Sequence, residues 1–103
     1  MRGALAISLA AACDLAPAPV ARAPSASCRE VAEHELGLRG LESKERDVKL
    51  AAVCHDDRWS IDVRRCIVAA SAADALDRCD ALLAPEQRDH YRGELDEISA
   101  AAR

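Results

Sequence analysis

The sequence predicts an all-α protein: a small bundle of four to five short helices stapled by two disulfides. Three observations predict it. From Ser27 onward β-branched residues are few and no alternating apolar run appears, so nothing there reads as strand. Apolar residues instead recur at three- and four-residue spacing behind residues suited to open a helix. Four cysteines, Cys28, Cys54, Cys66 and Cys79, are spread through a segment with little else to hold a core, since the 103-residue chain has no Phe, one Trp and one Tyr. Aromatic side chains bury the most area per residue, and small domains bury a low fraction of their surface, so such a core calls for covalent reinforcement.

Taken in order, Ser27 caps a helix over about 28–38, with Glu30 completing a capping box. Its apolar positions are Cys28, Val31, Ala32 and Leu36, and Gly40 suits its C-terminal end. Ser43 opens a second helix running to about Cys54, with Val48, Leu50, Ala51 and Val53 as its apolar residues. The link His55-Asp56-Asp57-Arg58-Trp59 is polar up to the tryptophan. Ser60 caps a third helix over 61–70, whose apolar side is Ile61, Val63, Cys66, Ile67 and Ala70. Ser71, with Asp74 three residues on, marks a fourth start, followed by the stripe Ala72, Leu76, Cys79 and Leu83. Pro85 fits the first turn of a fifth helix, where Glu86 meets the positive end of the dipole. Tyr91, Leu95, Ile98 and Ala102 give that helix a narrow apolar stripe.

Four cysteines allow three pairings. Cys28 and Cys54 are centred on Leu41, beside Gly40, and Cys66 and Cys79 are centred between Ala72 and Ala73, beside Ser71. Pairing them sequentially puts each pair at matched heights across one antiparallel hairpin. The nested alternative joins Cys54 to Cys66 around the Trp59-Ser60 corner and Cys28 to Cys79. The spacing favours the sequential pairing and leaves the nested one open. A bridge closing a loop of one or two dozen residues contributes about 3 kcal/mol, mostly by restricting the unfolded chain.

The first twelve residues carry one positive charge, Arg2, then the apolar run Ala4 to Ala12 with small residues before Cys13. This fits a secretory signal segment and is too short to span a bilayer. Leu9-Ala10-Ala11-Ala12-Cys13 resembles the lipobox of bacterial lipoproteins, with Ala10 where that family prefers a large aliphatic residue and Leu9 one position further out. The resemblance implies cleavage before Cys13 and acylation of Cys13. Residues 13–27 then form an Ala/Pro-rich tether containing Pro17, Pro19 and Pro24, a composition that extends rather than packs. Residues 28–103 are the helical disulfide domain. Lipidation of Cys13 also resolves the odd count of five cysteines. A cleaved, unanchored leader and an alanine-rich terminus with an incidental cysteine are the alternatives.

No catalytic constellation emerges. His34, His55 and His90 are the residues most able to do acid–base work, yet they fall in different segments, each flanked by charges. His55-Asp56-Asp57 could hold a cation or act in catalysis, but acids before a helix start have a structural use. No Cys-x-x-Cys, zinc-type ligand pair, P-loop, Gly-x-Ser-x-Gly or dinucleotide fingerprint occurs. The expectation is a non-enzyme without metal or cofactor. Net charge is −4, with basic residues scattered among acids, so nucleic acid is not an expected partner. Trp59 is the one large aromatic and the candidate interaction residue. Its alternative role is to plug the junction between helix pairs and pack on a disulfide.

The stretch Cys54-His-Asp-Asp-Arg-Trp-Ser-Ile-Asp-Val-Arg-Arg-Cys66, then Ala69-Ala70 and Cys79, resembles a group of small cysteine-containing helical proteins and lipoproteins of myxobacteria and their relatives. Cys28 with Val31-Ala32 and His34, and Leu82-Leu83-Ala84-Pro85-Glu86-Gln87, extend the likeness over about 28–87. It implies helices and paired cysteines, and no activity. The resulting expectation is a lipid-anchored protein of the bacterial cell envelope. Its domain faces the periplasm or the exterior and meets an envelope protein partner that the sequence does not name. A secreted, unanchored binding or inhibitor-like module is the alternative.

Overall fold

The computed structural model describes residues 26–103. The leader 1–12, Cys13 and all but the last two residues of the tether lie outside the described residues. Five helices follow in order: α1 (Cys28–Arg39), α2 (Lys44–Asp56), α3 (Ile61–Ala69), α4 (Ala73–Asp80) and α5 (Pro85–Ala102), with no strand among the described residues. Helix α1 is the hub, packing on α2, α3 and α4, while α3 packs on α4 and α5 packs on α2. Among the described residues no helix is long and apolar enough to cross a membrane.

Three helix starts follow from serine chemistry. The first N–H groups of a helix lack partners within it, and a serine hydroxyl at the cap accepts from one of them. Ser27 Oγ accepts from the Glu30 amide at 3.2 Å, and Glu30 Oε1 accepts from the Ser27 amide at 3.2 Å, closing the capping box. Ser43 and Ser60 accept from Arg46 N at 3.1 Å and Val63 N at 3.2 Å. Gly40 ends α1 in the left-handed conformation at φ 72°, and Leu41 N reaches back to Leu36 O at 2.8 Å.

The fourth start departs from expectation. Ser71 is not the cap; α4 begins at Ala73 behind Ala72, which has no side-chain acceptor. Ser71 is exposed, and the register of α4 instead buries Leu76 and Cys79. Asp74 still serves the first turn through its charge. At the other end of α4, Arg88 donates to Asp80 O at 3.3 Å and to Leu83 O at 3.1 Å, satisfying carbonyls that the helix leaves open. Helix α5 starts as Pro85 predicts, and Gln87 Oε1 accepts from Ala84 N at 3.1 Å.

Cys28 bonds to Cys54 and Cys66 to Cys79, the sequential pairing, with Cα atoms 5.6 Å apart in both pairs. Each bridge closes one antiparallel hairpin, α1–α2 or α3–α4. The hairpins meet over Val31, Ala32, Leu36, Leu50, Val63, Ile67 and Leu76, all nearly or wholly buried. Ala72, which precedes α4 and is exposed, falls outside this core, and so do two further residues of the expected stripes. Val48 is 64% and Ile61 39% exposed. Each lies two positions before a buried residue, Leu50 or Val63, and two residues turn a helix by about 200°, to its opposite side. The stripe on α5 runs through Tyr91, Leu95 and Ile98 but not to Ala102, which is exposed. Where the domain begins, Arg64 of α3 donates to Ala26 O at 2.9 Å and to Trp59 O at 3.2 Å, joining the chain's entry to the α2–α3 corner.

Candidate functional site

The corner after α2 shapes the polar centre of the molecule. Arg58 adopts φ 53°, a left-handed conformation that costs a non-glycine residue about 1 kcal/mol. That turn brings Trp59 N back to Cys54 O at 3.1 Å and sends the indole inward, where it is buried. Its ring meets the ring of Tyr91 edge-on, centroids 5.5 Å apart and planes at 76°. Trp59, the sequence's candidate for interaction, thus fills the junction between α2, α3 and α5, and its ring partner is Tyr91.

Tyr91 carries the next link. Its hydroxyl donates to Glu35 Oε2, which also accepts from Arg39 Nε at 3.2 Å, while Arg39 Nη2 donates to the Tyr91 oxygen at 3.3 Å. Glu35 has no exposed surface. Burial raises its pKa above the ordinary glutamate range, and the Tyr91 hydrogen bond and the Arg39 charge offset only part of that rise. Burial and the neighbouring Glu35 charge push the Tyr91 phenol upward as well. Beside this triad Asp80, nearly buried, pairs with Arg92 through Nε at 2.9 Å and through Nη2. The composition of α1 hid Glu35 among charged neighbours. Its one legible signal is position, since Glu35 and Arg39 continue the stripe that runs through Cys28 and Ala32 at three- and four-residue steps.

The three histidines do not converge. His34 Nε2 donates to Ala70 O at 2.7 Å and ties α1 to the end of α3. His55, exposed on α2, lies 3.5 Å from Asp56. His90 on α5 meets Asp57 Oδ2 at 2.8 Å, and Gln87 of the same helix donates to Asp57 O at 2.7 Å. A carboxylate at Nδ1 is the orientation of a general base. Among the described residues, however, no hydroxyl or thiol is bonded to His90, and all four cysteines are in disulfides. Asp57 and His90 therefore act as a clasp between the α2–α3 corner and α5. Among the described residues no three His, Cys, Asp or Glu side chains are grouped to hold a metal ion.

A surface feature that the sequence did not announce lies on the opposite side of α2. A groove of about 740 Å³ runs between the outward faces of α1 and α2. Val48, Ala51, Ala52 and Cys28 supply its apolar surface. Glu33, Glu42, Asp47 and Asp56 stand around it with Arg29 and Lys44. Val48 was expected in the core; displaced from it, it becomes part of this groove.

The fold and these contacts define a disulfide-stapled helical bundle with a polar clasp and an open surface groove. No family model matches the chain, and searches of curated proteins and of solved structures return no match.

Proposed function

We propose that the protein is a lipid-anchored component of the bacterial cell envelope, a non-enzymatic structural or interaction module. One observation carries this reading. The four cysteines of the described domain satisfy one another in two bridges, so Cys13 is the one cysteine left over. It stands directly after an apolar leader and before an Ala/Pro-rich tether, the context in which a lipoprotein cysteine is acylated. Each acyl methylene buried in a bilayer contributes about 0.8 kcal/mol, and two or more chains hold a protein durably. His34, His90 and all four cysteines of the described domain are engaged in contacts between elements, and no hydroxyl or thiol of a described residue stands against the exposed His55, which supports a non-enzymatic role. The likeness to small cysteine-containing lipoproteins of myxobacteria agrees with this placement.

The test is expression of the full chain in a bacterium that processes lipoproteins, with radiolabelled palmitate and fractionation of the envelope. The wild type is expected in the membrane fraction and labelled, and Cys13→Ser is expected unlabelled and released. A Cys13→Ser chain that stays with the membrane refutes the anchor. A wild-type chain cleaved but unlabelled in the soluble fraction belongs instead to the unanchored binding or inhibitor-like module.

A further inference from the structure

We propose that the groove between α1 and α2 docks a basic, apolar-bearing peptide segment of an envelope partner. The inference rests on the interaction-module reading and names the chemistry of the partner, but it does not depend on the lipid anchor.

The groove's lining combines apolar residues with an excess of acidic ones. Val48 is the most exposed large hydrophobic residue among those described, at 64%, and it stands beside Ala51 and Ala52 on the same face of α2. An aliphatic side chain laid against them would remove apolar surface from water on both partners. The charges around this patch do not cancel. Arg29 is already engaged by Glu33 at 3.1 Å. Lys44 is left with Glu42, Asp47 and Asp56, the last 3.5 Å from His55, and the groove's four carboxylates outnumber its one Arg and one Lys. Asp47 registers the crowding: desolvation, then Glu33 and Glu42, push its pKa upward, and Arg29 offsets only part of the rise. Its Oδ1 is shielded from solvent and accepts no hydrogen bond from a described residue. An incoming lysine or arginine would supply the opposite charge that the groove's carboxylates lack.

The same charge selects against other occupants. A second copy brings an identical acidic groove on a chain of net charge −4. Anionic lipid and nucleic acid are repelled likewise. The groove is also fixed in shape, because the Cys28–Cys54 bridge ties together the helices that form it. A surface that needs no ordering on binding loses less affinity to entropy.

The experiment titrates the full chain, disulfides intact, into fluorescent peptides about twelve residues long, which as helices match the roughly 20 Å length of α2. One peptide is an amphipathic Lys/Leu helix, one its Glu/Leu counterpart, and one a Lys/Ser peptide without apolar residues. The Lys/Leu peptide is expected to bind, at least about tenfold more tightly than either control, and to weaken as salt rises from about 50 to about 500 mM. Val48→Ser and the pair Glu42→Lys/Asp56→Lys are each expected to weaken it about tenfold or more, with an unchanged circular dichroism spectrum. Glu97→Lys, exposed on α5, is the control that leaves binding as it was. Amide shifts are expected within residues 28–33 and 42–56. The proposal is overturned if the Lys/Leu peptide does not bind, if the Glu/Leu peptide binds equally, if the shifts fall elsewhere, or if the groove variants bind like the wild type. Self-association that Val48→Ser disperses would assign the groove to a second copy and overturn it too. Peptide binding does not read acylation. A failed titration beside a palmitate-labelled, membrane-held chain therefore rejects the groove and leaves the anchor, and the converse rejects the anchor alone.

Discussion

The four helices from Cys28 to Asp80 and the last helix, Pro85–Ala102, are held by different means. The first four form two hairpins, each closed by a disulfide, that meet across an aliphatic core. Helix α5 has no covalent staple, and of its 18 residues only Tyr91 and Ile98 are buried, with Leu95 partly so. Its remaining attachments are polar: Tyr91 to Glu35, Arg92 to Asp80, Arg88 to the Asp80 and Leu83 carbonyls, and His90 and Gln87 to Asp57. Disulfides and aliphatic contacts respond little to pH and salt. Hydrogen-bonded charges respond to both. The difference teaches that one small domain can combine a covalently fixed body with a helix whose hold depends on solution conditions.

The largest expected effect tests the stapled half. Replacing Cys28 and Cys54 by serine should cost about 3.5 kcal/mol, and replacing Cys66 and Cys79 about 3 kcal/mol, because the first bridge spans 26 residues and the second 13. Urea denaturation checks both. Losses below about 1 kcal/mol would mean that the aliphatic core suffices unaided and that the contrast with α5 is false.

The next effect tests the polar half. Tyr91→Phe keeps the ring against Trp59 but strips the hydroxyl from a buried carboxylate, and should cost about 1–3 kcal/mol. Hydrogen exchange should then quicken in α5 more than in α1, and uniform quickening would remove the distinction. The same site sets a pH dependence. The folded-state pKa of Glu35 is raised, so the folded protein holds that proton more tightly than the unfolded chain. Its contribution to stability is fully present below the ordinary glutamate range and is lost as pH rises through the raised value. Stability of the wild type relative to Glu35→Gln should therefore fall as pH rises above the ordinary glutamate range, and a rise there would refute the assignment.

The smallest effect compares two serines. Ser60→Ala removes a cap on α3 and should cost about 1 kcal/mol. Ser71→Ala, at a position that caps nothing, should stay within about 0.5 kcal/mol. Thermal melts of the two variants decide it, and equal losses would restore Ser71 as a cap.

That pair of serines also marks how far the sequence can be read. Ser27, Ser43, Ser60, Gly40 and Pro85 signal helix ends because their chemistry acts within a few residues, and the helices begin or end at them. The bridges were half legible: spacing ranked the sequential pairing first, and only the hairpins brought the sulfurs together. Ser71 misled by one position: α4 starts behind Ala72 without a side-chain cap, while Leu76 and Cys79 are buried as their stripe placed them. Of Glu35 only its place on the α1 stripe was legible. Its burial depends on Tyr91, 56 positions away, and no local pattern reports such a partner. The groove leaves no mark in the sequence, because the apolar pattern of α2 reads Val48 as a core residue.

The contact of Arg64 with Ala26 bears on how the domain meets mechanical force. Tension on the chain ahead of Ser27 arrives first at Ala26, where the guanidinium of α3 grips the carbonyl. Two residues further the pull reaches Cys28, and the Cys28–Cys54 bond diverts it to the far end of α2. Residues 28–54 thus lie on a branch shunted by a covalent bond, and α1 cannot be peeled away turn by turn from its N-terminus. A domain wired in this way can be pulled from its N-terminal side without its first helix taking the strain.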